Sequence, residues 1–292
     1  MDESLENIAK FVYQRSRILF SERRMILLRN RVEVRMQQLK LPDFAAYQAY
    51  LFRSPGEESA LLDILTTKET FFFRNPGQFR YLAEKIIPAM EAEKGKEAVN
   101  AWAREKQAVT APPMKLRILC AGCATGEEPY SVAMSLLESL RYPKAWDIEI
   151  LAGDISTSCL ETGTTAYYRS ERLKEIPAPY LDKYMEMTDD GAVFTNEVKK
   201  LVKFCRLNLK DIIIGGKFPS AAAEFSGFDI IFCRNVMIYF SAEAQQQLVD
   251  ALFRTLMPGG YLFTGDAEAL HPFRHDFQSV KDAGCLIYRK PV

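Results

Sequence analysis

"RILCAGCATGEEPY", Arg117–Tyr130, decides how this chain is read. An apolar run passes into two glycines, Gly122 and Gly126, then into the acids Glu127 and Glu128 and a proline, Pro129, suited to the first turn of a helix. Doubly wound folds bind nucleotide-like ligands where a strand ends in such a turn and a helix begins. The spacing is not G-x-G-x-x-G, and acids at a helix start would repel a pyrophosphate. The expected ligand therefore carries little negative charge. S-adenosylmethionine (SAM), with an adenosine, an ammonium and a sulfonium but no phosphate, fits. The sequence leaves open which of Glu127 and Glu128 faces it.

Outward from this turn, strands and helices alternate. "KLRILCAG", "DIEILAGD", "FDIIFCRN" and "GGYLFTGD" read as strands, "EPYSVAMSLLESL" and "SAEAQQQLVDALFRTLM" as helices, the latter capped by Ser241. Such alternation predicts an α/β fold with a doubly wound parallel sheet covered on both faces. Residues 115–292 are expected to form this domain. Within it, 164–204 interrupts the alternation with turn residues and short β-rich runs, which predicts a small antiparallel β-subdomain. Asp154 ends the second strand, where a carboxylate can take both ribose hydroxyls; a helix cap is the competing reading.

Residues 1–90 read as an all-α domain. Met25, Leu28, Val32, Met36 and Leu39 form one helical stripe beside Arg24, Arg31 and Arg35. Eight basic residues against two acids between Arg15 and Lys40 suggest a dock for an acidic partner, against the alternative of a solvated face. A linker or insertion is expected at 91–114, which ends near the Pro112–Pro113 pair.

With 292 residues, 48% of them apolar, the chain can bury a large core. Its 38 basic and 38 acidic residues balance, so no global field gathers nucleic acid or membrane. No apolar run approaches the roughly 18 residues that span a bilayer. A cytoplasmic, monomeric protein that neither binds nucleic acid nor inserts in the membrane is expected. Cys120 and Cys123 form a C-x-x-C, but no second pair follows and the two histidines, His271 and His275, are distant in sequence; no metal site is expected.

"TTKETFFFRNPGQF", "AGCATGEEPYSVAM", "FCRNVMIYF" and "LMPGGYLFTGDAEAL", in this order, and the basic "RNRVEVRMQQL" resemble the signature stretches of the CheR family of chemotaxis receptor methyltransferases. The resemblance covers nearly the whole chain except 91–114. It implies a helical N-terminal domain with a basic, substrate-facing helix, a SAM-binding α/β domain and an inserted β-subdomain. It further implies methyl transfer from SAM to glutamates in the cytoplasmic domain of chemotaxis-type receptors, giving glutamyl methyl esters and S-adenosylhomocysteine. Carried over, SAM contacts fall to Lys68, Thr70, Arg74, Gly122, Glu128, Asp154, Asn208, Leu209, Asn235 and Val236, and receptor contacts to Arg24, Arg31 and Arg35. The chain departs from the family pattern at Lys68, where Asn is common in "TTN", and at Gly265–Glu268, where "GHSE" is common.

A glutamate carboxylate, of ordinary pKa about 4.3, is ionised at neutral pH. It needs no general base, only positioning. Arg74 suits that task as a planar, permanently charged fork, and Tyr239 as a hydroxyl near the transfer point. Phe71, Phe72 and Phe73 read as core, with one of them available to stack on adenine. Two alternatives remain at this stage: a methyltransferase acting on another substrate, and a SAM-binding regulatory or scaffold protein of the same fold.

Overall fold

The computed structural model describes residues 2–104, 113–215, 227–282 and 284–292. Four helices come first: α1 (Glu3–Ser16), α2 (Glu22–Leu39), α3 (Phe44–Arg53) and α4 (Glu57–Leu65). Leu28, Val32 and Met36 of α2 pack with Leu5, Ile8 and Val12 of α1 and with Tyr47, Leu51, Leu61 and Leu62 in a core of their own. Asp2 and Asp43 cap α1 and α3 by accepting main-chain N–H groups.

A long helical run follows, α5 (Pro76–Tyr81), a π-helical turn (Leu82–Ile86) and α6 (Ile87–Arg104). Pro88 has no N–H to give and would clash with the carbonyl four residues back. The wider π turn, in which Ile87 N reaches Leu82 O, accommodates it. The linker expected at 91–114 is thus helical as far as Arg104. The strong helix formers of "EAEKGKEAVNAWAR" extend α6, and 105–112 lie outside the described residues.

The second domain comprises β1 (Met114–Ala121), α7 (Glu127–Ser139), β2 (Trp146–Asp154), α8 (Thr157–Thr165), β3 (Tyr167–Arg169), α9 (Ala178–Tyr184), β4 (Met185–Met187), β5 (Gly191–Phe194), α10 (Asn196–Lys199), β6 (Val202–Arg206), α11 (Leu209–Gly215), β7 (Phe228–Cys233), α12 (Ala242–Thr255), β8 (Leu256–Thr264), β9 (Gln278–Asp282) and β10 (Cys285–Arg289). Among the described residues the main sheet has the order β6-β2-β1-β7-β8-β10-β9. β6 to β8 are mutually parallel, and β10 runs antiparallel to both β8 and β9.

Alternate residues of each central strand enter opposite cores. Ile118, Ile150, Ile230 and Phe263 pack with Val132 and Leu136 of α7 and with Leu82 and Ile86. Leu119, Leu151, Ile231 and Leu262 pack with Ile212 of α11 and with Leu248 and Leu252 of α12. Burial on both faces explains the near-continuous apolar strands. Chain order reverses between β1 and β7, which opens a crevice at their carboxyl ends.

The small antiparallel sheet, of order β3-β5-β4, spans less than the 164–204 expected of it. Val202–Arg206 instead pairs in parallel with β2 as the edge of the main sheet. That edge position suits a strand whose residues alternate less cleanly between buried and half-buried.

Candidate active site

The crevice is walled by the turn after β1, the end of β2, the loop after β7 and residues 65–74, and is roofed by the α1–α2 connection through Ser16 and Ile18. The roof is fixed by main chain: Leu19 N donates to Tyr239 O at 2.9 Å, and Ile18 bridges Phe240. Asn208 Nδ2 donates to Arg15 O at 2.7 Å.

Gly122 has φ 82°, and a β-carbon there would lie 2.3 Å from Val236 Cγ1. Only glycine lets the β1 and β7 loops approach so closely. Gly122 N and Cys123 N donate to Gly153 O at 2.7 and 3.0 Å, tying this turn to the end of β2. Asp154, 8% exposed, completes the tie: Oδ2 accepts from Ala124 N at 2.8 Å and Oδ1 from Ser156 N at 2.9 Å. Burial pushes its carboxyl above the ordinary range, opposed by these N–H groups.

Adjacent acids in the sequence face different ways. Glu127 is fully buried and paired with Arg172 beside the small sheet, whereas Glu128 lines the crevice. Glu128 Oε2 accepts from Arg234 Nη1 at 3.2 Å. Burial pushes the Glu128 carboxyl up, opposed by the guanidiniums of Arg234 and Arg74.

Of the residues singled out from sequence, Thr70, Arg74, Gly122, Glu128, Asp154, Asn208, Leu209, Asn235, Val236 and Tyr239 all line this one crevice. Lys68 does not. Its ammonium donates to Ser158 Oγ at 2.7 Å, beside the start of α8. Phe71 lines the crevice with Arg74 over its ring, 5.6 Å from the centroid, while Phe72 is buried against Tyr168 and Phe194.

The arginines of α2 also divide. Arg24 lies over the ring of Tyr239, a crevice residue, 4.5 Å from its centroid. Arg31 and Arg35 do not form an outward stripe. Arg31 Nη1 donates to the carbonyls of Ile64 and Thr66, groups left without helical partners at the end of α4. Arg35 makes a two-pronged pair with Glu57, at 3.0 and 2.7 Å, and Glu57 also accepts from the Tyr47 hydroxyl at 2.9 Å. Glu57 is 3% exposed, and a carboxylate so placed requires a cation.

Two participants were not singled out in the sequence. Arg234, 4% exposed, bonds Glu128, Arg74 O and Asn75 Oδ1, and its Nε has no partner among the described residues. Glu268, 5% exposed, sits behind the β7 loop. A charged residue directly after the apolar run Ile230–Cys233 was the available signal for Arg234.

The charged lining is Glu69, Glu128 and Asp154 with Arg74 and Arg234. Three acids to two bases, no lysine among the described residues and close-fitting glycine suit a ligand with ribose hydroxyls and positive charge and no phosphate, which SAM is. Asp154 would hold the ribose and Glu128 the cationic end. A proton and the cationic end of the ligand then compete for Glu128. SAM affinity is expected to fall on acidification at a pH above that where an exposed glutamate titrates, because the Glu128 carboxyl is shifted upward. Glu128→Gln should remove part of that decline, as read by calorimetric titration from neutral pH downward.

Comparison with known proteins agrees with this geometry. Residues 68–285 match the family described as CheR methyltransferase, SAM binding domain, and residues 3–66 the CheR methyltransferase, all-alpha domain. The chain is 33% identical over 276 residues to a chemotaxis protein methyltransferase of Escherichia coli, covering 91% of this chain and 84% of that one. It is 32% identical over 295 residues to chemotaxis protein methyltransferase 2 of Pseudomonas aeruginosa, covering 98% and 92%. A chemotaxis protein methyltransferase of Borreliella burgdorferi is 32% identical over 272 residues, covering 92% and 88%. With a SAM-binding crevice at the switch point of its sheet and both domains matched, the chain belongs to the CheR family of SAM-dependent methyltransferases.

Proposed function

We propose that this enzyme methylates glutamate side chains in the cytoplasmic domain of chemotaxis-type receptors, as a monomer, with SAM as methyl donor. The observation that carries the reading is the meeting of Arg74 and Tyr239 with Glu128 and Asp154 in one crevice. No helix among the described residues is long and apolar enough to cross a membrane.

SAM supplies a sulfonium-bound methyl, an electrophile that an ionised carboxylate can attack without prior deprotonation. The protein's task is therefore geometric. Arg74 is held by Glu69 O at 3.3 Å and by the Phe71 ring, leaving donors to orient the acceptor carboxylate. Tyr239, fixed through its carbonyl and under Arg24, offers a hydroxyl beside it. Neither histidine lines the crevice, consistent with chemistry that needs no general base. Positioning of this kind supplies roughly 7 to 11 kcal/mol in favourable cases.

Of the three α2 arginines, Arg24 has the place from which to meet a glutamate-rich receptor helix. Arg74→Ala is expected to lower the single-turnover rate at saturating SAM by about a hundredfold or more, the loss of one charged orienting group, with the melting temperature little changed. A wild-type rate would make Arg74 a surface residue. Incubation with labelled SAM and receptor-containing membranes tests the function itself. Base-labile label on receptors supports it; label on other molecules, or SAM binding without transfer, would contradict it.

A further inference from the structure

The loop after β7 forms one wall of the crevice through Asn235, Val236, Ile238 and Tyr239, and its far end is tied by Leu19 N to Tyr239 O and by Gln245 Nε2 to Met237 O at 2.7 Å. Asn235 lies at φ 60°, in the left-handed region, which costs energy for a residue with a β-carbon. Beyond it, Met237–Tyr239 make a single 3-10 turn closed by Tyr239 N to Val236 O at 3.2 Å.

One carboxylate from a different element gathers this loop. Glu268 Oε2 accepts from Asn235 N at 2.5 Å and from Gly265 N at 2.9 Å, and Oε1 accepts from Ile238 N at 3.2 Å. A β-carbon on residue 265 would sit 2.7 Å from Glu268 Oε2 and 2.9 Å from Asn235 Nδ2, so the approach depends on Gly265. Main-chain N–H groups converging on an anion form a concave donor nest, and hydrogen bonds to an ionised acceptor are about twice as strong as neutral ones. Glu268 itself is not part of the crevice lining.

We propose that Glu268 is a positioning residue for methyl transfer: its carboxylate holds the Asn235–Tyr239 turn in the shape that presents the Tyr239 hydroxyl to the acceptor. The proposal rests on the functional reading given above. It assigns Glu268 no contact with donor or acceptor; its effect passes through the turn. The same bonds account for a left-handed asparagine at the crevice wall, which the carboxylate compensates by taking the Asn235 N–H.

The test is a double-mutant cycle. Glu268→Gln keeps the size of the side chain and one acceptor oxygen but removes the charge. Single-turnover methyl transfer to a receptor cytoplasmic fragment is measured at SAM concentrations saturating for each variant, in the parent chain and in a Tyr239→Phe background. Hydrogen exchange of residues 235–239 is followed by mass spectrometry on the same proteins. We expect Glu268→Gln to lower the rate at least about tenfold in the parent and less than about threefold in the Tyr239→Phe chain, because the group being positioned is gone. Amides of 235–239 should exchange faster in both.

Equal losses in the two backgrounds, an unchanged rate, or unchanged exchange would overturn the proposal. Should Glu268→Gln fail to fold, Glu268→Asp, which keeps the charge on a shorter side chain, carries the same cycle with the same criteria. A parent chain that transfers no methyl group overturns the functional reading instead, and unchanged exchange in the Glu268→Gln chain would then overturn the positioning role on its own.

Discussion

Replacing Arg31 and Arg35 together by glutamate is expected to unfold the helical N-terminal domain. Read as a solvent-facing stripe, these arginines would only steer a receptor, and their reversal would raise the KM for receptor and flatten its salt dependence. The structure gives them other partners. Arg35 neutralises Glu57, which with Tyr47 forms a polar knot inside the helical core. Removing one member of a buried pair costs about 3 to 5 kcal/mol, and a carboxylate in its place adds repulsion. Arg31 closes the carbonyls at the end of α4, whose loss costs about 1 to 3 kcal/mol when buried acceptors are stranded. Summed, this approaches the whole stability of an ordinary domain. Denaturant unfolding should show it. A variant with unchanged melting and a raised receptor KM would restore the steering role to both residues, whereas Arg24→Glu, over the Tyr239 ring, is where that kinetic signature is expected.

Gly122→Ala should abolish useful SAM binding. The added methyl meets Val236, a stiff β-branched side chain, at 2.3 Å, so the β7 loop must move or the β1 turn must refold. A non-glycine residue in the left-handed region costs about 1 to 2 kcal/mol before that collision. Since each 1.4 kcal/mol is a factor of about ten, the Kd for SAM should rise by a factor of about ten to a hundred or more. Gly95→Ala is the control. That glycine lies in α6 with nothing within 4 Å of its β-carbon position, so alanine there should leave SAM binding unchanged and raise helix stability slightly.

The strands, their order class and the crevice were legible because both faces of a parallel sheet must be apolar, and because a glycine turn leading to a helix has few structural uses. Gly122 and Asp154 stood out by their positions at strand ends, whereas Glu128 and Asn235 were indicated only by the resemblance to the CheR family. What was not legible depended on partners distant in sequence. Arg31 and Arg35 share a helix face with Arg24, but Glu57 and the end of α4 turn two of them inward. Lys68 is only two residues from Thr70, yet Ser158 of α8 draws its ammonium away. Glu268 looks like one more surface acid until three N–H groups are seen around it. The run from Phe79 to Gln107 reads as helical but ends in charged residues before the Pro112–Pro113 pair, which suggests a linker at 91–114; α6 continues into that stretch as far as Arg104.

The identity of the methylated atom decides the assignment most directly. The purified chain, incubated with SAM and a receptor cytoplasmic fragment, should add the mass of a CH2 group per modified site. Peptide mapping should place each addition on a glutamate side chain, mild base should remove it, and the Gly122→Ala chain should add far less at a SAM concentration near the parent Kd. Additions stable to base, additions on other residue types, or no addition while SAM binds tightly would contradict the assignment.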